Sequence, residues 1–141
     1  GLRPATRAEA SLLRGWADHF LAEAGATSRA SDEAGPRIDA GLLYVWEAGG
    51  AVVSMAGITV AQGGVSRVGL VYTPPENRKH GFASACVAAV TDRALAIPGR
   101  TCILYADLPN PTSDSIYQDI GYRRVADAVE LIFAPPGLGR D

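Results

Sequence analysis

The stretch from Val71 to Ala83 constrains this chain more than any other: Val71-Tyr72 ends an apolar run, Thr73-Pro74-Pro75-Glu76-Asn77-Arg78-Lys79-His80 is polar and carries two prolines, and Gly81-Phe82-Ala83 opens a helical pattern. A strand therefore runs into a basic turn that opens directly into a helix. The first amides of a helix have no intrahelical acceptor and lie at the positive end of its dipole. An anion placed there meets several N–H donors, which makes a diphosphate the natural guest. Gly81 and Ala83 leave the backbone approachable, and Arg78 and Lys79 add positive charge. The turn is not a P-loop, because the Gly-Lys-Ser/Thr ending is missing, and it lacks the full Gly-x-Gly-x-x-Gly of a dinucleotide fingerprint.

The flanking sequence fits an α/β arrangement. Thr6-Arg7-Ala8-Glu9 reads as a capping box. Glu9, Leu13, Trp16, Phe20 and Ala24 then recur at helical steps up to Gly25, which predicts a first helix over about 7–24. Residues 27–40 read mainly as a loop, with room for a short helix. Leu42 to Trp46 and Ala51 to Val60 form a predicted hairpin about Gly49-Gly50, and Val65 to Tyr72 a further strand. Ala83, Val87, Val90, Ala94 and Ile97 mark a helix that Pro98-Gly99 stops. Thr101 to Ala106 is a short strand, Asn110-Pro111 starts a short helix ending at Gly121, and Tyr122 to Val125 and Val129 to Phe133 are closing strands. Helices alternating with strands predict a mixed sheet with helices packed on it.

With 141 residues the chain is expected to form a single domain over 1–141. Gly1 in place of an initiator Met points to a processed chain or to the C-terminal part of a longer protein. Hydrophobic residues at 48% and charged residues at 20% describe a globular chain. A net charge of −2 without a basic run argues against nucleic acid as a partner. No apolar segment reaches the length of a membrane span, so no membrane partner is expected. Cys86 and Cys102 match no metal spacing and read as reduced, buried thiols, which favours a cytoplasmic location; no metal site is expected. Trp16 and Trp46 read as core.

Arg78-Lys79-His80-Gly81-Phe82-Ala83 resembles the Arg/Gln-x-x-Gly-x-Gly/Ala signature of the GNAT superfamily of N-acetyltransferases, and the preceding Val-Tyr-Thr-Pro-Pro-Glu-Asn resembles the approach to that loop in FR47-like bacterial members. The likeness runs from Thr6 to Phe133 in element order. It implies a mixed, mostly antiparallel central sheet flanked by helices, with splayed central strands. It further implies acetyl-coenzyme A as co-substrate. Its diphosphate would be cradled along Arg78, Lys79, His80, Gly81, Phe82, Ala83 and Ser84, mainly by backbone amides, and Leu70, Val71 and Tyr72 would bond its pantetheine arm. Lys79 and His80 stand where the family has Gly or another small residue.

Asn110, Ser113 and Tyr117 are spaced to share one helix face. Tyr117-Gln118-Asp119-Ile120-Gly121-Tyr122 resembles the family's Tyr-x-x-x-Gly-Phe/Tyr ending. The resemblance implies Asn110 near the coenzyme and Tyr117 as the acid that protonates the departing thiolate; Ser113 reads as helix-start chemistry beside them. No general base stands out among Glu47, Glu76, Glu130, His19 and His80. The expected reaction is direct attack by a primary amine of a small molecule or peptide in a ternary complex; a homodimer is compatible with the sequence. Two other readings stand beside it: a non-catalytic acyl-CoA sensor on the same fold, and the coenzyme-binding part of a larger enzyme. Asp32, Glu33 and Asp39, in the region after the first helix, could attract a cationic acceptor but read primarily as solvated.

Overall fold

The computed structural model describes residues 1–24, 31–60, 62–105, 121, 123–124 and 130–133. Strand β1 (Leu2–Pro4) leads through a single tight turn of helix at Arg7–Glu9 into α1 (Ala10–Ala24). Helix α2 (Ser31–Asp39) precedes the hairpin β2 (Leu43–Ala48) and β3 (Ala51–Ile58), followed by β4 (Val65–Tyr72). Helix α3 (Phe82–Leu95), β5 (Thr101–Tyr105), β6 (Arg123–Arg124) and β7 (Glu130–Phe133) complete the order. The strands form one sheet in the order β1-β2-β3-β4-β5-β7-β6. Among the described residues its one parallel pair is β4 with β5. The sheet is therefore mixed and mostly antiparallel, as the sequence predicts.

The region 27–40 departs from its prediction. Gly35 and Pro36 read as helix breakers, yet both lie inside α2. Ala34 and Ile38, one turn apart, are buried in the core beneath α1, and this packing outweighs the weak intrinsic propensity.

Two cores lie on opposite faces of the sheet. Leu13, Trp16 and Ala17 of α1, with Ala34 and Ile38 of α2, pack against Leu43, Val45, Met55, Leu70 and Tyr72. Cys86, Val87, Val90 and Ala94 of α3 pack against Ala56, Ile58, Val68, Cys102 and Leu104 on the other face. Trp16 is buried in the first core, and Trp46 packs half-buried against the second. Both cysteines are free and buried.

The N-terminal strand is tied down by charge. Arg3 donates to both carboxylate oxygens of Glu9, at 3.0 and 2.6 Å, and Glu9 also accepts from the Thr6 backbone N–H at 2.9 Å. The Arg3 hydrogen bond is the main reason the Glu9 carboxyl is lowered to about 2. A carboxylate depressed in the folded state stabilises above its unfolded pKa, and the contribution is lost as pH falls through the folded value. Glu9→Gln should therefore destabilise the protein by about 1–2 kcal/mol at neutral pH, a figure reduced for the partial exposure of Arg3. The difference from wild type should vanish between about pH 4.5 and 2, as followed by urea titration.

Candidate coenzyme site on strand β4 and its turn

The site begins with an extra residue in β4. Pairing with β3 runs Ile58–Val68 and Gly57–Gly69, then shifts to Met55–Tyr72, so three steps on β4 face two on β3. Leu70 takes up the surplus with a left-handed φ of 51°. Such a conformation costs a non-glycine residue about 1–2 kcal/mol. Burial of Leu70 and Tyr72, each 6% exposed, offsets it, since one large apolar side chain contributes about 1.5–3 kcal/mol. The bulge also changes the facing of the strand. Val68 and Val71 pack on the α3 side, whereas Leu70 and Tyr72 pack on the α1 side.

On its other edge β4 parts from β5. Parallel pairing covers Val65–Thr101 to Val68–Leu104 and stops there. Residues 69–72 consequently have no strand partner on that side among the described residues, and this is the splay between the central strands. An extended ligand can take the place of a strand along such an edge. Leu70, Val71 and Tyr72, expected to meet the pantetheine arm, lie on this segment.

Beyond Tyr72 the chain is pinned from beneath. The Ser54 hydroxyl donates to the Tyr72 carbonyl at 3.2 Å and shares a 2.8 Å hydrogen bond with the Thr73 hydroxyl. A tight helical turn at Pro75–Asn77 follows, then Lys79 and Gly81 with φ of 67° and 78°. Helix α3 starts at Phe82, and its first intrahelical bond from Ala85 reaches the Gly81 carbonyl at 3.0 Å. The amides of Phe82, Ala83 and Ser84 thus precede the ladder, and by helix geometry they have no acceptor four residues back. Lys79, His80 and Gly81 are exposed, and a Cβ on Gly81 would meet open space. The turn fits a diphosphate: consecutive donors, a helix N-terminus and an unobstructed approach. The His80 ring sits 5.6 Å from that of Phe82, on this turn.

Arg78 takes a different course from its neighbours. Its Nε donates to the Thr73 carbonyl at 2.8 Å, and its Nη2 reaches both oxygens of Glu23 on α1, each at 2.9 Å. The guanidinium lies 5.6 Å from the centroid of the Tyr72 ring, and the Tyr72 hydroxyl donates to Glu23 at 3.3 Å. Trp16 and His19 flank the same ring at 6.1 and 6.3 Å. Burial, and then the Glu23 carboxylate, raise the Tyr72 hydroxyl above its ordinary range. Glu23 has no prominence in the sequence; only its spacing with Trp16 and His19 on one face of α1 could have marked it.

Other candidates separate from this cluster. Cys86 lies beneath Ser54, and burial pushes its thiol up to about 12, so it stays protonated and is no nucleophile at neutral pH. Glu47 is paired with Arg3 at the end of the sheet, Asp39 with Arg7, and Glu76 is exposed. Among the described residues no group of His, Cys, Asp or Glu could hold a metal ion, and no helix is long and apolar enough to cross a membrane. Asn110, Ser113 and Tyr117 lie outside the described residues, as does the predicted helix that carries them.

The family model described as FR47-like protein matches residues 48–131, which span the β4 bulge, the turn and α3. The chain belongs to the FR47-like family. It is thereby a member of the GNAT superfamily. Solved structures share the fold of this FR47-like chain at low identity. PaiA N-acetyltransferase from Thermoplasma acidophilum, in complex with coenzyme A, superimposes with a TM-score of 0.76 at 11% identity, covering 96% of this chain and 98% of that one. A GNAT family acetyltransferase from Brucella melitensis, in complex with acetyl-CoA, gives 0.72 at 17% identity over 96% and 88% of the two chains. A spermidine N-acetyltransferase SpeG chimera from Vibrio cholerae and hSSAT gives 0.74 at 14% identity over 94% and 95%. Comparison with curated protein sequences gives no match.

In this FR47-like turn, Gly81 combines a left-handed φ of 78° with open space around its α-carbon. Gly81→Ala should destabilise the fold by about 1 kcal/mol through backbone strain alone, measured by chemical denaturation.

Proposed function

We propose that the protein binds acetyl-coenzyme A along β4 and its turn and transfers the acetyl group to a primary amine. The observation that carries the reading is the continuity of one path: a strand edge from Gly69 to Tyr72 that has no partner among the described residues runs straight into the exposed turn and the amides that precede the α3 ladder. An extended pantetheine arm suits the first part and a diphosphate the second. The backbone amides of Lys79, His80, Gly81, Ala83 and Ser84 are the proposed diphosphate donors.

The acyl carbonyl would then lie near the bulge, where backbone groups left out of the ladder can polarise it. The amine nitrogen attacks the thioester carbon, the C–S bond breaks, and the thiolate takes a proton from the Tyr117 hydroxyl. Solvent receives the proton lost by the amine. Asn110 and Ser113 share the proposed helix face with Tyr117, on the coenzyme side. Holding amine and thioester together supplies much of the acceleration. An amine acceptor is supported by the spermidine N-acetyltransferase among the similar folds. Two free, buried thiols suit a reducing compartment, which we take to be the cytoplasm.

Calorimetry with acetyl-CoA, followed by a thiol-release assay over a panel of amines, tests the reading. Binding with thiol release on at least one amine is expected, whereas binding without release on any amine would indicate an acyl-CoA-binding module. Tyr117→Phe should lower kcat by about 10²-fold or more, the scale of one positioned acid, while the acetyl-CoA dissociation constant changes little. Unchanged turnover would remove Tyr117 from the mechanism.

A further inference from the structure

Resting on the proposed coenzyme site, we infer that Glu23 of α1 is a positioning residue for that site, acting through Arg78. The Arg78 guanidinium joins three parts of the molecule. Its Nε closes the turn on itself by bonding the Thr73 carbonyl at 2.8 Å. Its Nη2 is held by both Glu23 oxygens at 2.9 Å, and its Cζ lies 5.6 Å from the centroid of the Tyr72 ring, whose own hydroxyl donates to Glu23 at 3.3 Å. The residue after Arg78 is Lys79, with the φ of 67° that shapes the crest of the turn. Fixing the Arg78 guanidinium through Nε and Nη2 therefore ties down the segment that presents the proposed diphosphate-binding amides.

This assignment differs from one in which Arg78 is itself a phosphate ligand. The two roles give opposite signs for loss of the Glu23 charge. If Arg78 reached for phosphate and Glu23 competed for it, removing the carboxylate would free the guanidinium and tighten coenzyme binding. If Glu23 holds Arg78 as a strut, removing it loosens the turn and weakens binding. The geometry points to the strut, because Nε and Nη2 already serve Thr73 and Glu23 and draw the guanidinium toward α1. The Arg78 and Glu23 side chains are 41% and 50% exposed, so the pair adds little to global stability. Its consequence lies in where it aims the turn. Because α1 also walls the first core, the same strut links the position of that helix to coenzyme occupancy.

The test is a double-mutant cycle of Glu23→Gln and Arg78→Gln, read by calorimetry with coenzyme A at near-physiological salt and by KM for acetyl-CoA against kcat. Glu23→Gln is expected to raise the dissociation constant and KM about three- to ten-fold, the scale of one charge-assisted hydrogen-bond contact, with kcat little changed. In the Arg78→Gln background it should change them less than about two-fold, since residues acting through one contact are non-additive. Thermal midpoints should stay within about 2 °C of wild type, which separates positioning from a stability effect. Wild-type binding with an unchanged or tighter Glu23→Gln variant overturns this inference and leaves the proposed function standing. Equal loss in both backgrounds also overturns it, because Glu23 would then act independently of Arg78. A wild-type protein that does not bind coenzyme A overturns both.

Discussion

One extra residue in β4 organises the rest of the structure. By adopting a left-handed conformation, Leu70 reverses the facing of the strand, so the end of β4 belongs to the α1 core while its start belongs to the α3 core. Strain of about 1–2 kcal/mol is set against the burial of two large side chains, and burial wins. In a regular strand Tyr72 would face α3, away from Trp16, His19 and Glu23. The departure from regular pairing also coincides with the point where β5 leaves β4. Among the described residues, the partnerless strand edge and the aromatic anchor thus lie on one short segment of β4.

From that anchor the structure passes to the turn. Tyr72 is gripped through its carbonyl by Ser54 and through its hydroxyl by Glu23, and Arg78 closes over its ring. These contacts hold the start of the turn, while positive φ at Lys79 and Gly81 shapes its crest. Family membership and fold agree with the same reading, since the matched stretch contains bulge, turn and α3 together.

How much of this could be read in the sequence depends on the range of the interaction involved. The strand, turn and helix about Arg78 were legible because prolines, glycines and apolar periodicity act locally. The bulge was not: Val68, Leu70 and Tyr72 alternate as if on one face, and only packing against two different helices separates them. Helix α2 was hidden because Gly35 and Pro36 carry strong local signals, whereas the buried contacts of Ala34 and Ile38 are tertiary. Glu23 meets Arg78 across 55 positions of chain, a distance at which one sequence gives no pairing signal. The expectations for Asn110, Ser113 and Tyr117 rest on spacing and resemblance and fall outside the described residues.

The most direct measurement of the central claim is amide mapping by NMR or hydrogen exchange with and without coenzyme A. Perturbation or protection should concentrate on the backbone of Leu70 to Tyr72 and Lys79 to Ser84, leaving β1 and β2 unchanged. Saturable binding that leaves those amides unaffected and perturbs another part of the sheet would contradict it.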